Sequence, residues 1–89
     1  MFYEFYGETC PHCIEMMPMV EKLAKELGVK VERLEVWNNE ANAMKLELID
    51  RGLCGGVPFF FNDENNDYIC GSCDEDRLRE WMKGGKSVK

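Results

Sequence analysis

The sequence predicts a single α/β domain with the element order βαβαββα, in which a four-stranded mixed sheet is flanked by three helices. Two observations predict this class. Short apolar strands alternate with helical stripes in the first half of the chain, and a strand hairpin precedes a last helix in the second half. Because 89 residues suffice for one small core, we expect one domain over 1–84 and a frayed tail over 85–89.

The first strand and the first helix flank a pair of cysteines. The apolar run Phe2–Tyr6, interrupted by Glu4, predicts a strand. Pro11 suits the first turn of the helix that follows, and Gly28 is a typical helix stop. Apolar residues recur between them at steps of three and four, as a helix with one buried face requires: Ile14, Met17, Val20, Leu23, Ala24 and Leu27.

A second strand and a second helix come next. The segment 29–37 is rich in β-branched residues and predicts a strand, joined to the first by a right-handed parallel crossover. Either Asn38 or Asn39 caps a helix that runs to about Arg51. Three residues of this helix are expected to face the core: Ala43, Leu46 and Ile49.

The last three elements are a hairpin and a helix. The apolar run 57–61 and the segment 68–70 predict two antiparallel strands, joined by the turn-rich connector 62–67. Ser72 followed by Glu75 fits a capping box at the start of the last helix. The apolar stripe of this helix consists of Leu78, Trp81 and Met82.

Composition excludes several classes of partner. The chain has 11 Lys and Arg against 17 Asp and Glu, and its net charge of −6 disfavours nucleic acid and anionic membranes. No signal peptide and no apolar stretch of membrane-spanning length is visible. Five cysteines in such a chain favour redox or metal chemistry over a structural disulfide framework, and we expect a cytoplasmic monomer.

The run Cys10-Pro11-His12-Cys13 lies at a strand-to-helix junction. Unpaired backbone N–H groups and the helix dipole favour a thiolate at Cys10, which makes it the expected nucleophile. Cys13 lies one turn further along and is expected to resolve a mixed disulfide on Cys10. His12 is expected to add charge or a hydrogen bond beside the thiolate and make the pair more oxidising. From the residues alone, an ordinary thiol at Cys10 and a core role for Cys13 stay open.

The segment from Tyr3 to Cys13 resembles the active-site segment of thioredoxins and protein disulfide isomerases. Pro18 matches the helix-kinking proline of thioredoxins, and Gly56-Val57-Pro58 matches their glycine-hydrophobic-proline signature. The short length and the run 68–71 are similar to glutaredoxins. The resemblance implies a minimal, glutaredoxin-like thioredoxin fold and a dithiol–disulfide oxidoreductase that needs no cofactor beyond its own thiols.

The same resemblance implies a substrate-binding loop at Gly56, Val57 and Pro58. Pro58 would be cis and would face the cysteine pair, leaving the Val57 backbone free to pair with an extended substrate strand. The alternative is a trans proline at the start of a strand.

Glu4 stands where the superfamily places a buried carboxylate under the second cysteine, and Arg33 where it often places a lysine partner. The resemblance implies that Glu4 has a raised pKa and takes the proton of Cys13 during resolution. The alternative is an exposed edge glutamate and an unrelated surface arginine.

The expected partners are a disulfide-containing protein, of which ribonucleotide reductase is one plausible client, and a reductase that the sequence does not identify. Glutathione stays open as the reductant. Asp74 is suited to hold its amino group, whereas Glu8 near the site should repel this anionic tripeptide.

A second C-x-x-C run, Cys70 to Cys73, joins the last strand to the last helix. We expect Cys73 in the first helical turn, where a thiolate is favoured, and a reversible Cys70–Cys73 disulfide that exchanges electrons with the first pair. The competing interpretation is a metal- or iron–sulfur-binding module that uses both pairs. Cys54, by contrast, is interpreted as a small core residue.

Overall fold

Four strands and three helices follow one another in the predicted order in the computed structural model, which describes residues 1–84. The tail expected at 85–89 lies outside the described residues. The elements are β1 (Phe2–Tyr6), α1 (Pro11–Leu27), β2 (Val31–Glu35), α2 (Glu40–Asp50), β3 (Phe59–Asn62), β4 (Tyr68–Cys70) and α3 (Glu75–Met82).

The strands form one mixed sheet in the order β2-β1-β3-β4. β1 runs parallel to β2, with Glu4 opposite Arg33, and antiparallel to β3. β3 and β4 form the expected antiparallel hairpin, in which Phe59 pairs with Cys70. The α/β class, the element order and the mixed sheet are therefore confirmed.

The helices cover the sheet on both faces. Side chains of α1 and α3 pack with Phe60 and Ile69 on one face, which we call the α1/α3 face. Side chains of α2 pack with Phe5 and Phe59 on the other, the α2 face. Since consecutive strand residues point to opposite faces, the central strands β1 and β3 supply apolar residues to both cores.

Helix α1 begins at Pro11 and ends at Gly28, whose φ of 69° lies in the left-handed region that a glycine adopts without a Cβ penalty. Its buried stripe differs from the predicted one only near the start of the helix, where Ile14 is 51% exposed and Cys13 and Met16 are buried instead. The later residues of the predicted stripe do pack in the core: Val20, Leu23, Ala24 and Leu27. The residues that face the core recur at steps of three and four from the second cysteine: Cys13, Met16, Val20 and Leu23.

The start of α3 also differs from prediction. Asp74, not Ser72, is the N-cap, and its Oδ1 accepts a hydrogen bond from the Arg77 N–H at 2.9 Å. The helix therefore begins at Glu75, and Cys73 precedes it instead of lying in its first turn.

Strands β2 and β3 are shorter than predicted. β2 ends at Glu35, whose carboxylate accepts the N–H groups of Trp37 and Asn38 and so turns the chain out of the sheet. β3 starts only after the Val57–Pro58 bond. Over residues 1–84, no helix combines the length and the apolar character that crossing a bilayer requires.

Candidate active site

The two cysteines of the first pair lie at the start of α1, directly beyond the end of β1. Cys10 is the N-cap of this helix, and its Sγ accepts a hydrogen bond from the Cys13 N–H at 3.2 Å. Pro11 occupies the first helical position, where no N–H is needed. Backbone N–H groups and the helix dipole at this end favour negative charge on the Cys10 sulfur.

Cys13 lies deeper, with 1% of its surface exposed, and accepts the Gly7 N–H at 3.5 Å. Burial, with further contributions from the Cys10 sulfur and from the charge of Glu4, raises the pKa of Cys13 to about 12. Cys13 is thus a thiol at neutral pH. The Cys10 sulfur instead lies at the helix start and accepts the Cys13 N–H, so the two sulfurs have different surroundings before any substrate binds.

Glu4 is fully buried in β1, as the family resemblance implies. Its Oε1 accepts a hydrogen bond from the Arg33 Nε at 2.9 Å, across the β1–β2 ladder. Burial raises the pKa of Glu4 and outweighs the opposing effect of Arg33. Within residues 1–84 the second carboxylate oxygen, Oε2, has no hydrogen-bond partner, which leaves one lone-pair site open to a proton.

Replacing Glu4 by Gln is expected to stabilise the fold at neutral pH. Because burial places the folded-state pKa of Glu4 above its unfolded value, Glu4 weakens the fold progressively as pH rises from the ordinary carboxyl value of 4.5. Glutamine keeps the shape and the acceptor for Arg33 but carries no charge. The gain in the free energy of unfolding should therefore be absent at about pH 4 and present at about pH 7.

Urea unfolding of wild type and Glu4→Gln at several pH values measures this difference. Glu26→Gln is the matched control, because Glu26 is exposed on α1 and its ion pair with Arg79 is a long one of 3.5 Å. If the difference in the free energy of unfolding between Glu4→Gln and wild type stayed constant from acid to neutral pH, the raised pKa of Glu4 would be contradicted.

Of the two contributions expected from His12, the hydrogen bond beside the Cys10 thiolate is not formed in the described residues, and the contribution of charge stays a prediction. The His12 side chain is 70% exposed, and its Nδ1 lies 3.5 Å from Oε1 of Glu15. The partner of His12 is therefore a carboxylate one turn along the helix.

The loop before β3 faces the cysteine pair. The Val57–Pro58 bond is cis, as the resemblance implies, and the Cys10 Sγ lies 3.9 Å from the Val57 carbonyl oxygen. The Pro58 carbonyl accepts the Gly71 N–H at 2.8 Å. Within residues 1–84 the Val57 N–H has no acceptor. This segment therefore presents a free backbone donor beside the nucleophile.

Asp50 holds the other end of this loop. Its buried carboxylate accepts the N–H groups of Cys54 at 2.6 Å and of Gly55 at 2.8 Å. The anchor lies at the end of α2, so it couples the loop to that helix.

A groove of about 390 Å³ runs beside the loop, and sequence reasoning missed it. Trp37, 54% exposed, forms one side of it and covers Gly7 so closely that a Cβ there would lie 2.3 Å from the indole. The remaining lining is apolar apart from Glu47 and Asp50: Val36, Ala43, Leu46, Gly55, Gly56 and Val57. The one signal of this groove in the sequence was Trp37, an aromatic residue at the end of the segment predicted as the second strand.

The expected Cys70–Cys73 disulfide is wrong, because Cys70 is bonded to Cys54 with a Cα separation of 5.4 Å. Side chains alternate along β4, so Ile69 enters the α1/α3 face and Cys70 points to the α2 face, where Cys54 packs. Cys73 packs against the α1/α3 face and is a free thiol. The two members of the second C-x-x-C run therefore lie on opposite faces of the sheet.

Two further expectations change with this pairing. Burial, followed by the charge of Asp74, raises the pKa of Cys73, which is the opposite of the thiolate environment expected there. Cys54 is a disulfide partner instead of an unpaired core residue, and the chain does contain a disulfide outside its C-P-H-C motif.

The four-cysteine metal site of the competing interpretation is not assembled. The Cys70 sulfur is committed to Cys54, and Cys73 lies on the other face of the sheet. Among the described residues 1–84, no three His, Cys, Asp or Glu side chains come together as metal ligands.

Comparison with known proteins agrees with this geometry. The thioredoxin family model matches residues 1–84. The chain belongs to the thioredoxin family. This thioredoxin-family protein is similar to a mutant thioredoxin from Halobacterium salinarum NRC-1, with 29% identity, a TM-score of 0.70 and coverage of 93% of this chain and 71% of the other. It is equally similar to Fasciola hepatica thioredoxin, with 29% identity, a TM-score of 0.71 and coverage of 96% and 79%.

A glutaredoxin from Archaeoglobus fulgidus shares the fold, with a TM-score of 0.60, 21% identity and coverage of 94% of this chain and 86% of that one. The family match spans residues 1–84 and so includes both cysteines of the C-P-H-C motif and the Val57–Pro58 bond.

Curated relatives of another kind also match. The chain is 29% identical to a 7-cyano-7-deazaguanine synthase from Cellvibrio japonicus over 83 residues, and 30% identical to one from Citrifermentans bemidjiense over 87 residues. These matches cover 88% and 92% of this chain but only 37% and 38% of the synthases. The thioredoxin-family protein thus spans little more than a third of their length.

Proposed function

We propose that the protein reduces disulfides in other proteins, with Cys10 as the nucleophile and Cys13 as the resolving thiol. The observation that carries this proposal is the difference between the two sulfurs. Cys10 accepts the Cys13 N–H at a helix start, whereas burial raises the pKa of Cys13 to about 12. A pair that differs in this way attacks with one sulfur and keeps the other protonated until it is needed.

In the first step the Cys10 thiolate attacks one sulfur of the substrate disulfide. The substrate S–S bond breaks, a mixed disulfide with Cys10 forms, and the other substrate sulfur leaves as a thiolate. In the second step Cys13 attacks the Cys10 sulfur and releases the remaining substrate sulfur. The substrate gains two electrons and two protons, and Cys10 and Cys13 are left as a disulfide.

Cys13 must lose its proton before the second step, and Glu4 is the group we assign to take it. The support is that Glu4 is buried, lies close enough for its charge to raise the pKa of Cys13, and has an unpartnered Oε2 among the described residues. Arg33 holds the other oxygen at 2.9 Å and so acts as a positioning residue. Glu4→Gln should accordingly slow resolution more than initial attack.

Protein disulfides are the proposed substrate class. The free Val57 N–H and the Val57 carbonyl can pair with an extended substrate segment, and the adjacent groove accepts an apolar side chain. Glu8 and Glu15 are exposed near the C-P-H-C motif and disfavour an anionic tripeptide as substrate. The carboxylate of Asp74, considered for holding the amino group of glutathione, already caps α3.

The remaining partners are proposed from the family resemblance. Ribonucleotide reductase is a candidate client, and the reductant is either an unidentified reductase or glutathione. We place the protein in the reducing cytoplasm as a monomer, because three of its five cysteines are free thiols in the described residues.

Insulin reduction with dithiothreitol as the electron source tests the substrate class. We expect turnover with insulin and much weaker turnover when a small glutathione-linked disulfide is the substrate. Val57→Pro removes the proposed backbone donor and should raise KM for insulin, whereas Val57→Ala keeps this N–H and should raise KM less. Activity confined to glutathione-linked disulfides would contradict the proposal. The candidate client is tested separately, by measuring whether the reduced protein supports turnover of ribonucleotide reductase.

A further inference from the structure

The Cys54–Cys70 disulfide spans the base of the loop that carries Val57. Cys54 lies four residues before Pro58, and Cys70 pairs in the β3–β4 ladder with Phe59, the residue directly after Pro58. The bond therefore ties the start of the segment 55–57 to β4, the strand that pairs with β3 just after the end of this segment. This segment is the one that faces the Cys10 sulfur.

The segment needs such a tie because its own backbone is permissive. Gly55 and Gly56 precede Val57, and Gly55 has a φ of 80°. Besides the disulfide, the Asp50 carboxylate holds one end of the loop, and the hydrogen bond from the Gly71 N–H to the Pro58 carbonyl holds the other. The disulfide is thus the covalent one among the few contacts that determine the position of Val57.

The disulfide is also accessible. Cys70 is exposed on an edge strand, whereas Cys54 is half-buried against the α2 face. Attack by an external thiolate requires access to one sulfur, and Cys70 is the more exposed of the two bonded residues. Cys73 lies on the opposite face of the sheet and is therefore not the attacking thiol.

We propose that Cys54–Cys70 is a second redox-active disulfide, which holds the Val57 loop in its substrate-binding position when oxidised and releases it when a dithiol reduces it. The inference rests on the proposed role of Val57 in binding substrate. One thiolate of the dithiol attacks the Cys70 sulfur, and Cys54 leaves as a thiolate that takes up a proton. The second thiol of the reductant then attacks the mixed disulfide, so two electrons and two protons pass to the pair and the dithiol becomes a disulfide.

The first test uses the double variant Cys10→Ser/Cys13→Ser. This variant retains the Cys54–Cys70 bond, and Cys73 is its one remaining unpaired cysteine. A titration with dithiothreitol, followed by mass-spectrometric mapping of alkylated cysteines, should show reversible uptake of two electrons, with label gained at Cys54 and Cys70. Amide hydrogen exchange at 55–57 should become faster after reduction. No electron uptake by the native protein, or unchanged exchange at 55–57, would overturn the inference.

The second test measures substrate binding. Because dithiothreitol would itself reduce the Cys54–Cys70 bond, this test is made without added dithiol, in Cys13→Ser protein whose Cys10 forms a mixed disulfide with insulin. In this background Cys54→Ala/Cys70→Ala should raise the half-saturating insulin concentration, KM, for mixed-disulfide formation by about fivefold or more, as a coupling of ordinary size between two sites does, with the maximal rate unchanged. Cys73→Ala removes a free cysteine that is not in the disulfide and should leave both constants unchanged. Equal KM in the Cys13→Ser protein with and without the two alanine replacements would make the bond purely structural and overturn the inference.

The two proposals fail in different ways. Wild-type protein that does not reduce insulin at all contradicts the proposed function, while the titration of the Cys10→Ser/Cys13→Ser variant still decides whether Cys54–Cys70 is redox-active. If the double alanine variant does not fold, the hydrogen-exchange comparison decides the effect on the loop.

Discussion

Cys10→Ser is expected to abolish disulfide reduction, with turnover lower by roughly three orders of magnitude or more. The hydroxyl of serine is not ionised at neutral pH, so the helix start has no anion to stabilise there. Cys13 cannot take over, because 1% of its surface is exposed and its pKa is raised to about 12. The fold should be retained, since serine is a preferred N-cap and can accept the Cys13 N–H in place of the sulfur.

Insulin reduction, with the circular dichroism spectrum as a check of folding, measures this effect. Cys73→Ser is the matched control, because it exchanges a free cysteine outside the site for the same residue. A folded Cys10→Ser protein that keeps more than about a tenth of wild-type turnover would remove Cys10 from the nucleophile role. Competitive alkylation of the wild type gives an independent check: the label should reach Cys10 before Cys13.

Cys13→Ser is expected to stop turnover at a different point and to trap the protein as a mixed disulfide with its substrate. The Cys10 sulfur keeps its hydrogen bond, because the donor is the backbone N–H of residue 13 and not its side chain. Initial attack therefore proceeds, but no second thiol lies beside the Cys10 sulfur to release the bound substrate. Each molecule should react once.

Non-reducing electrophoresis and intact mass spectrometry measure this trapped species. Mixing Cys13→Ser with insulin should give a covalent complex that dithiothreitol reverses, while Cys10→Ser should give none. The assigned roles would have to be exchanged if Cys10→Ser formed the complex and Cys13→Ser did not. Rapid spontaneous release from Cys13→Ser would instead show that another thiol resolves the intermediate.

Residue patterns alone were sufficient to predict most of the fold. β1 and β4 have the predicted bounds, and α1 runs from a proline to a glycine stop as expected. These elements are determined by local chemistry, because a strand needs an apolar run and a helix end needs a residue that tolerates a left-handed backbone. The cap of α3 was missed because Ser72 and Asp74 are both good N-cap residues, and only packing decides which one starts the helix.

The active site was predictable to the extent that it is local. Cys10, Pro11 and Cys13 belong to one helix start, so their mutual arrangement follows from their spacing. The position of Glu4 could not be predicted from local sequence alone, because a lone carboxylate in an apolar strand is compatible with an edge or a buried position. The β1–β2 register puts Glu4 opposite Arg33, which supplies the partner that a buried carboxylate needs.

The sequence by itself determined the order of elements, the placement of a cysteine pair at a helix start and the residue types available for catalysis. The tertiary structure alone decided which groups meet across the sheet. Cys70 has Cys73 three residues away, yet it bonds Cys54 sixteen residues away. The physical reason is that side chains alternate along β4, so Cys70 shares a face with α2 and the loop after it, while Cys73 packs against α1 and α3.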